Sequence, residues 1–186
     1  MAYPISKLIF YPIFAILMRR IKGMENIPSD KAFIIISNHE KKIDSLLIAF
    51  PIIMRLNKKV HFLSNAAWWF LGETICRKWA GCIPIFDPKH AYGEMKEYLV
   101  NGKIVALFPE GNYKNQNKKN FKTGAVRLAL ETNTPILPIG IKSSYVPFAS
   151  TIRIGKLIYL RKNKKSIENQ TADLMKHIYR LRNDKD

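Results

Sequence analysis

The chain is poor in cysteine, in histidine and in acidic side chains, and each shortage closes off a class of protein. Two cysteines, Cys76 and Cys82, lie inside or beside apolar segments in 186 residues. That excludes a disulfide-stapled secreted domain and fits a reducing compartment. Of the four histidines, His61, His90 and His177 are scattered, without the close spacing of a ligand set, so no metal is expected. Asp and Glu number 14 against 31 Lys and Arg, a formal charge of +17. A surplus of that size calls for an anionic partner: nucleic acid, an anionic membrane surface or a phosphorylated substrate. Internal repeats are absent, and low complexity is confined to the polar stretch 112–120.

Long hydrophobic runs are missing as well. The apolar-aromatic run at 8–18 falls short of the roughly 20 residues a membrane-spanning helix needs. A signal peptide would carry its positive charge before the run, whereas Arg19, Arg20 and Lys22 follow it. An interfacial helix fits better. Ile5, Leu8, Ile9, Phe10, Ile13, Phe14 and Leu17 would enter the acyl boundary, and the basic cluster would meet lipid phosphates. A first helix buried in an ordinary core remains the alternative, because pattern alone does not separate the two. The interfacial reading divides the chain into a membrane-interface helix at 1–22 and an α/β domain at 23–186, held at the cytoplasmic face of a membrane.

Beyond the run, short β-type segments alternate with helical ones. Strands are expected at 32–37, 60–63, 82–86, 103–108 and 136–141, with strand-like pieces continuing to 160. Helices are expected at 44–56, 66–79, 92–100, 123–131 and 167–181. Asp44 or Ser45 suits the first cap, Pro51 marks a kink, and Gly102 stops the third helix. With 47% apolar residues, the chain can bury one core. The fold expected is a single α/β domain with a mostly parallel or mixed sheet flanked by helices, preceded by an N-terminal apolar helix.

His39 and Asp44 stand five residues apart. On one continuous helix they would lie about 140° apart around the axis, and on one strand they would face opposite sides. They meet only if a turn intervenes, and polar Asn38-His39-Glu40-Lys41-Lys42 between an expected strand and helix supplies one. A carboxylate on one imidazole nitrogen would fix the tautomer and leave the other as a general base. Seventy positions on, Phe108-Pro109-Glu110-Gly111 follows another expected buried strand. The ends of such strands are where open α/β sheets place their sites.

Taken together, the two motifs resemble those of the glycerolipid acyltransferases, the family that includes 1-acylglycerol-3-phosphate acyltransferase, whose members carry N-H-x4-D first and F-P-E-G later. Gly81-Cys82-Ile83-Pro84-Ile85 is similar to the family's block between the two. Phe121-Lys122-Thr123-Gly124-Ala125 and Pro135-Ile136-Leu137-Pro138-Ile139 resemble its later helix and closing strand. Gly23-Met24-Glu25-Asn26-Ile27-Pro28 is similar to its lead-in, so the resemblance covers about 23 to 141 in the right order. It implies that His39 takes the proton of an acceptor hydroxyl, which attacks the thioester of an acyl-carrier-protein or coenzyme A donor. Asp44 would hold the imidazole, and Asn38, Glu110 and Gly111 would belong to the substrate-binding blocks. The acceptor implied is a lysophospholipid, and no cofactor beyond the thioester co-substrate is needed.

Two family arginines that grip an acceptor phosphate have no counterpart. Phe86-Asp87-Pro88-Lys89-His90 stands where one is usual, and Asn112-Tyr113-Lys114 follows Glu110-Gly111 where the other is. Lys89, Lys114, Lys118, Lys119 and Lys122 are candidate replacements, Lys114 and Lys122 foremost, acting as point charges in place of a bidentate fork. Rival classes stay open. A nucleic-acid-binding domain would explain the charge, but no recognised module is present and the aromatics are not interleaved with lysines, so no nucleic acid is expected. A non-catalytic membrane-binding protein would explain the charge and the N-terminal run, but would not need His39, Asp44 and Glu110 on successive strand ends.

Overall fold

The computed structural model describes residues 6–64, 72, 74–111, 121–162 and 165–184. In chain order the elements are α1 (Ser6–Leu17), β1 (Met18–Lys22), β2 (Ile34–Ser37), α2 (Asp44–Leu56), β3 (Val60–Ser64), β4 (Cys82–Pro84), α3 (Pro88–Val100), β5 (Ile104–Leu107), α4 (Gly124–Thr132), β6 (Ile136–Lys142), β7 (Ser150–Ile154) and α5 (Ile167–Asn183). One seven-stranded sheet runs in the order β1-β7-β6-β2-β5-β3-β4. β6, β2, β5, β3 and β4 are parallel neighbours, β7 is antiparallel to β6, and β1 is parallel to β7. The sheet is therefore mixed, and helices flank it on both faces.

β2 explains why the sheet needs two covers. All four of its residues are buried, and strand alternation sends Ile35 to one side and Ile34 and Ile36 to the other. Ile35 joins a core with Phe14 of α1 and Leu47, Ile48 and Ile52 of α2. Ile34 and Ile36 join Met95 of α3, Val126 of α4 and Met175 and Ile178 of α5. The last helix lies close against β6 because Gly140 has no side chain: a Cβ there would stand 2.3 Å from the Arg182 nitrogen.

Several local expectations change. Met18–Lys22 is a strand, and Phe14 and Met18 are buried in the core. Three basic residues disguise this segment, which pairs with β7 at the sheet edge. α1 is two-sided: Tyr11 and Phe14 both pack on Phe50 of α2 at 5.7 Å, while Ile13 and Ile16 are exposed. Among the described residues no helix is long and apolar enough to cross a membrane. Asp44 does not cap α2 with its side chain. Ile43 is the cap residue, and the Asp44 carboxylate turns back into the preceding loop. α3 begins at Pro88, earlier than expected, because the Asp87 carboxylate caps it by accepting from the Lys89 N–H at 2.9 Å. Of the helix expected at 66–79, Thr74–Trp79 is a π-helical turn. Trp68, Trp69 and Phe70 lie outside the described residues.

Candidate functional site

The parallel register places Ile36 of β2 beside Leu107 of β5. The residues that follow each strand, His39 and Phe108, therefore emerge together at the C-terminal edge of the sheet. Their rings stack with centroids 4.1 Å apart and planes 16° from parallel. Phe62 of β3 continues the stack behind Phe108 at 6.1 Å. The first residue of the second motif is thus the platform on which the histidine of the first motif rests.

Asp44 is fully buried, and its Oδ2 collects three partners: His39 Nδ1 at 2.9 Å, the Glu40 N–H at 2.5 Å and the Lys41 N–H at 2.9 Å. The turn between strand and helix thus brings the pair together. An ionised carboxylate only accepts, so Nδ1 is the donor, which in the neutral tautomer of the ring leaves the lone pair on Nε2. His39 keeps 15% of its side chain exposed, so the ring reaches the surface on a buried anchor. The arrangement suits proton transfer at Nε2 with charge support at Nδ1.

Remote elements fasten this loop. The Asn38 side chain is fully buried; its Nδ2 donates to the Ile141 carbonyl at 2.9 Å and its Oδ1 accepts from the Ile141 N–H at 2.9 Å. The Asn38 amide thus mimics a strand residue and extends the pairing of β2 to β6. Glu40 accepts from the Ser143 N–H at 3.2 Å and from Nε of Arg182 at the end of α5.

The second motif is anchored in the same way. Glu110 is buried and accepts from the Tyr179 hydroxyl of α5 at 2.6 Å. Burial, reinforced by the Glu110 charge, pushes the Tyr179 phenol well above its ordinary range, so it stays a donor. Gly111 turns with φ 74°, and a Cβ there would lie 2.7 Å from Cε of Lys122. The missing side chain lets that lysine lie across the turn, while the Lys122 N–H donates to the Pro109 carbonyl at 2.8 Å. Lys114, Lys118 and Lys119 lie outside the described residues. Lys89 follows β4, three strands from β2, roughly 14 Å across the sheet. His61 lies in β3 near its N-terminal end, and His90 and His177 are exposed on α3 and α5.

Sequence reasoning missed Phe108 as a contact, and missed Glu40, Tyr179 and Arg182. Phe108 had a signal, since it opens a motif placed after a strand. Tyr179 and Arg182 had none, because they reach Glu110 and Glu40 across 69 and 142 residues.

Beside the site, the loop from β6 to β7 exposes Tyr145, Val146 and Phe148. Lys41 places its ammonium 5.3 Å from the Tyr145 ring centre. Phe148 adopts φ 54°, a left-handed conformation costing an L-residue about 1–2 kcal/mol. Its N–H donates to the Ile16 carbonyl of α1 at 2.7 Å, and its ring is 64% exposed. Next to this rim, Arg19, Arg20, Lys22, Lys142 and Arg153 surround a cleft of about 280 Å³.

Known proteins share this arrangement of chain. A protein-family model described as Acyltransferase matches residues 18–142. The 1-acyl-sn-glycerol-3-phosphate acyltransferase BAT2, chloroplastic, of Brassica napus is 28% identical over 130 residues, covering 64% of this chain and 36% of that protein. The human 1-acyl-sn-glycerol-3-phosphate acyltransferase alpha is 28% identical over 137 residues, covering 69% and 46%. The chain spans less than half the length of these relatives. Among solved structures, the 1-acyl-sn-glycerophosphate acyltransferase PlsC of Thermotoga maritima superposes with a TM-score of 0.67 at 22% identity, covering 91% of this chain and 74% of that one, a likeness of fold.

Asn38→Ala leaves the Ile141 N–H and carbonyl buried without their partner, at about 1–3 kcal/mol for each unsatisfied group. Denaturant unfolding should show that loss. A stable Asn38→Ala protein with only a raised substrate KM would assign Asn38 to substrate binding instead.

Proposed function

The chain belongs to the glycerolipid acyltransferase family, and from that premise we propose that it moves a fatty acyl group from a thioester to a hydroxyl of a lysophospholipid-type acceptor, with His39 as the base. The observation that carries this reading is the His39–Asp44 contact at 2.9 Å on the Phe108 platform. Nε2 takes the proton of the acceptor hydroxyl as its oxygen bonds to the thioester carbonyl carbon. The tetrahedral intermediate then expels the thiolate of acyl-carrier protein or coenzyme A, which recovers the proton from the imidazolium. The new ester forms, the carbon–sulfur bond breaks, and His39 ends neutral. Asp44 stabilises the transient positive charge. General-base help of this kind contributes roughly 10²–10⁴ in rate.

On this reading Glu110 and Gly111 shape the acceptor side, and Lys122 offers its ammonium there as a point charge for a headgroup phosphate. Lys114 would assist from the neighbouring segment. The protein acts at an anionic membrane on its cytoplasmic face. Support comes from the exposed Tyr145, Val146 and Phe148 beside α1 and from the five basic side chains around the adjacent cleft. Apolar insertion and phosphate attraction then act side by side. Glu40, which accepts from Ser143 in this loop, follows His39 directly, so a lipid glycerol can approach the base from the bilayer surface.

Three outcomes test the reading. His39→Ala should stay folded and lose at least about 100-fold in acyl transfer from labelled acyl-acyl-carrier protein or acyl-CoA; Asp44→Asn should fall less far. Near-normal turnover by folded His39→Ala would remove the mechanism. In the same assay with lysophosphatidate, Lys122→Ala should raise the acceptor KM more than it lowers kcat, as uniform binding requires. An unchanged KM would make Lys122 surface charge alone. The double variant Val146→Ser, Phe148→Ser should weaken flotation with phosphatidylglycerol vesicles on the order of tenfold, and added salt should weaken it further. Undiminished binding by that variant would locate the membrane contact elsewhere.

A further inference from the structure

At the opposite end of the sheet from His39, a cavity of about 600 Å³ opens beside the N-terminal ends of β3 and β5. Lys58 and Lys59 lead into β3, Lys103 leads into β5, and Arg77 and Lys78 come from the π-helical turn. Among the described residues no carboxylate lines it. Three of the five cations are held in place by the fold. Arg77 pairs with Glu94 behind the wall at 2.5 Å, Lys59 donates to the Lys78 carbonyl, and the Lys103 ammonium sits 4.2 Å above the centre of the Tyr98 ring. His61 is 8% exposed and lies against Tyr98 at 4.4 Å. Burial, and then the charge of Lys103, push its pKa down to about 4, so it presents a neutral ring near pH 7.

Glu94 offsets Arg77, and the four lysines around the concavity repel one another. A pair 4 Å apart costs about 1 kcal/mol in water and more where solvent is excluded. None of the four lysines takes part in the acyl-transfer site, and an anion seated in the cavity would offset their repulsion. The volume falls within the roughly 300–1,000 Å³ of small-molecule sites and exceeds what a single phosphate fills. Tyr98 is already engaged by Lys103 and His61, so recognition works through charge and not through stacking a base.

We propose that this cavity binds a small anion carrying two or more phosphate groups, at a site separate from His39. Such phosphates come either from a soluble diphosphate compound or from a diphosphate lipid headgroup. The site is independent of the acyl-transfer reading. It is tied to that edge of the sheet by β5, which runs from Lys103 to the turn carrying Glu110, roughly 20 Å away.

The test uses the full chain, with pyrophosphate as the soluble probe and phosphatidylcholine vesicles with and without cardiolipin as the lipid probe. Saturable pyrophosphate binding should appear by calorimetry. In NMR titration the anion should raise the His61 pKa, because it offsets Lys103 and Lys59, which lower it, and adds to Glu94, which raises it. The double variant Lys58→Gln, Lys103→Gln should weaken binding about tenfold or more, and His39→Ala should leave it unchanged. Lys78→Gln, which alters one exposed side chain, checks the result should the double variant fold poorly. A response to cardiolipin vesicles without one to pyrophosphate assigns the site to a lipid headgroup. No saturable response to either probe, an equal effect from sulfate at matched ionic strength, or a stationary His61 pKa would overturn the proposal.

Discussion

The amide of Asn38 gives and takes a hydrogen bond with the backbone of Ile141, and through that exchange the end of β2 is held to β6 one residue beyond the strand itself. Without it the polar turn 39–43 would lose its tie to the neighbouring strand, and the Asp44 carboxylate would order the turn without anchoring it to β6. With it, the next residue projects its imidazole over Phe108, and the chain has just enough length to fold Asp44 back beneath the ring. One buried side-chain amide sets the position of the histidine, and the carboxylate orients its ring through Nδ1. A fully satisfied buried polar group of this kind specifies geometry more than it adds stability.

Both motifs were legible because each lies between a strongly patterned strand and a helix. The isoleucines of β2 and the Ile104–Leu107 run read as buried strands on composition alone, and the fold class followed from the alternation. The intervening polar turn allowed His39 and Asp44 to meet, and they do. Less legible were features set by tertiary partners. Met18–Lys22 carries three basic residues and reads as the end of a helix; it becomes a strand because β7 lies beside it. Asn38 reads as a motif residue facing substrate, and its burial follows only from the position of Ile141. Tyr179 and Arg182 belong to an amphipathic helix whose polar members look alike until Glu110 and Glu40 are placed against them.

Charge divides between the two ends of the strands in different company. At the His39 edge the basic side chains of the first strand stand beside exposed Tyr145, Val146 and Phe148. At the far edge the lysines and Arg77 surround a concavity whose aliphatic lining residue, Ile104, is buried. Two of the surfaces that contribute to the net charge of +17 therefore differ in chemistry, and a bulk measure such as salt sensitivity does not separate them.

The docking of α5 on Gly140 has a consequence for when the protein becomes competent. Every other described element leaves the ribosome before this helix, yet the turn at Glu40 and the turn at Glu110 each take a partner from it. Contacts that close spans of this length form late, because the loop entropy must be met before the bonds return it. The nascent chain thus presents its apolar first helix early and closes the turns at Glu40 and Glu110 last.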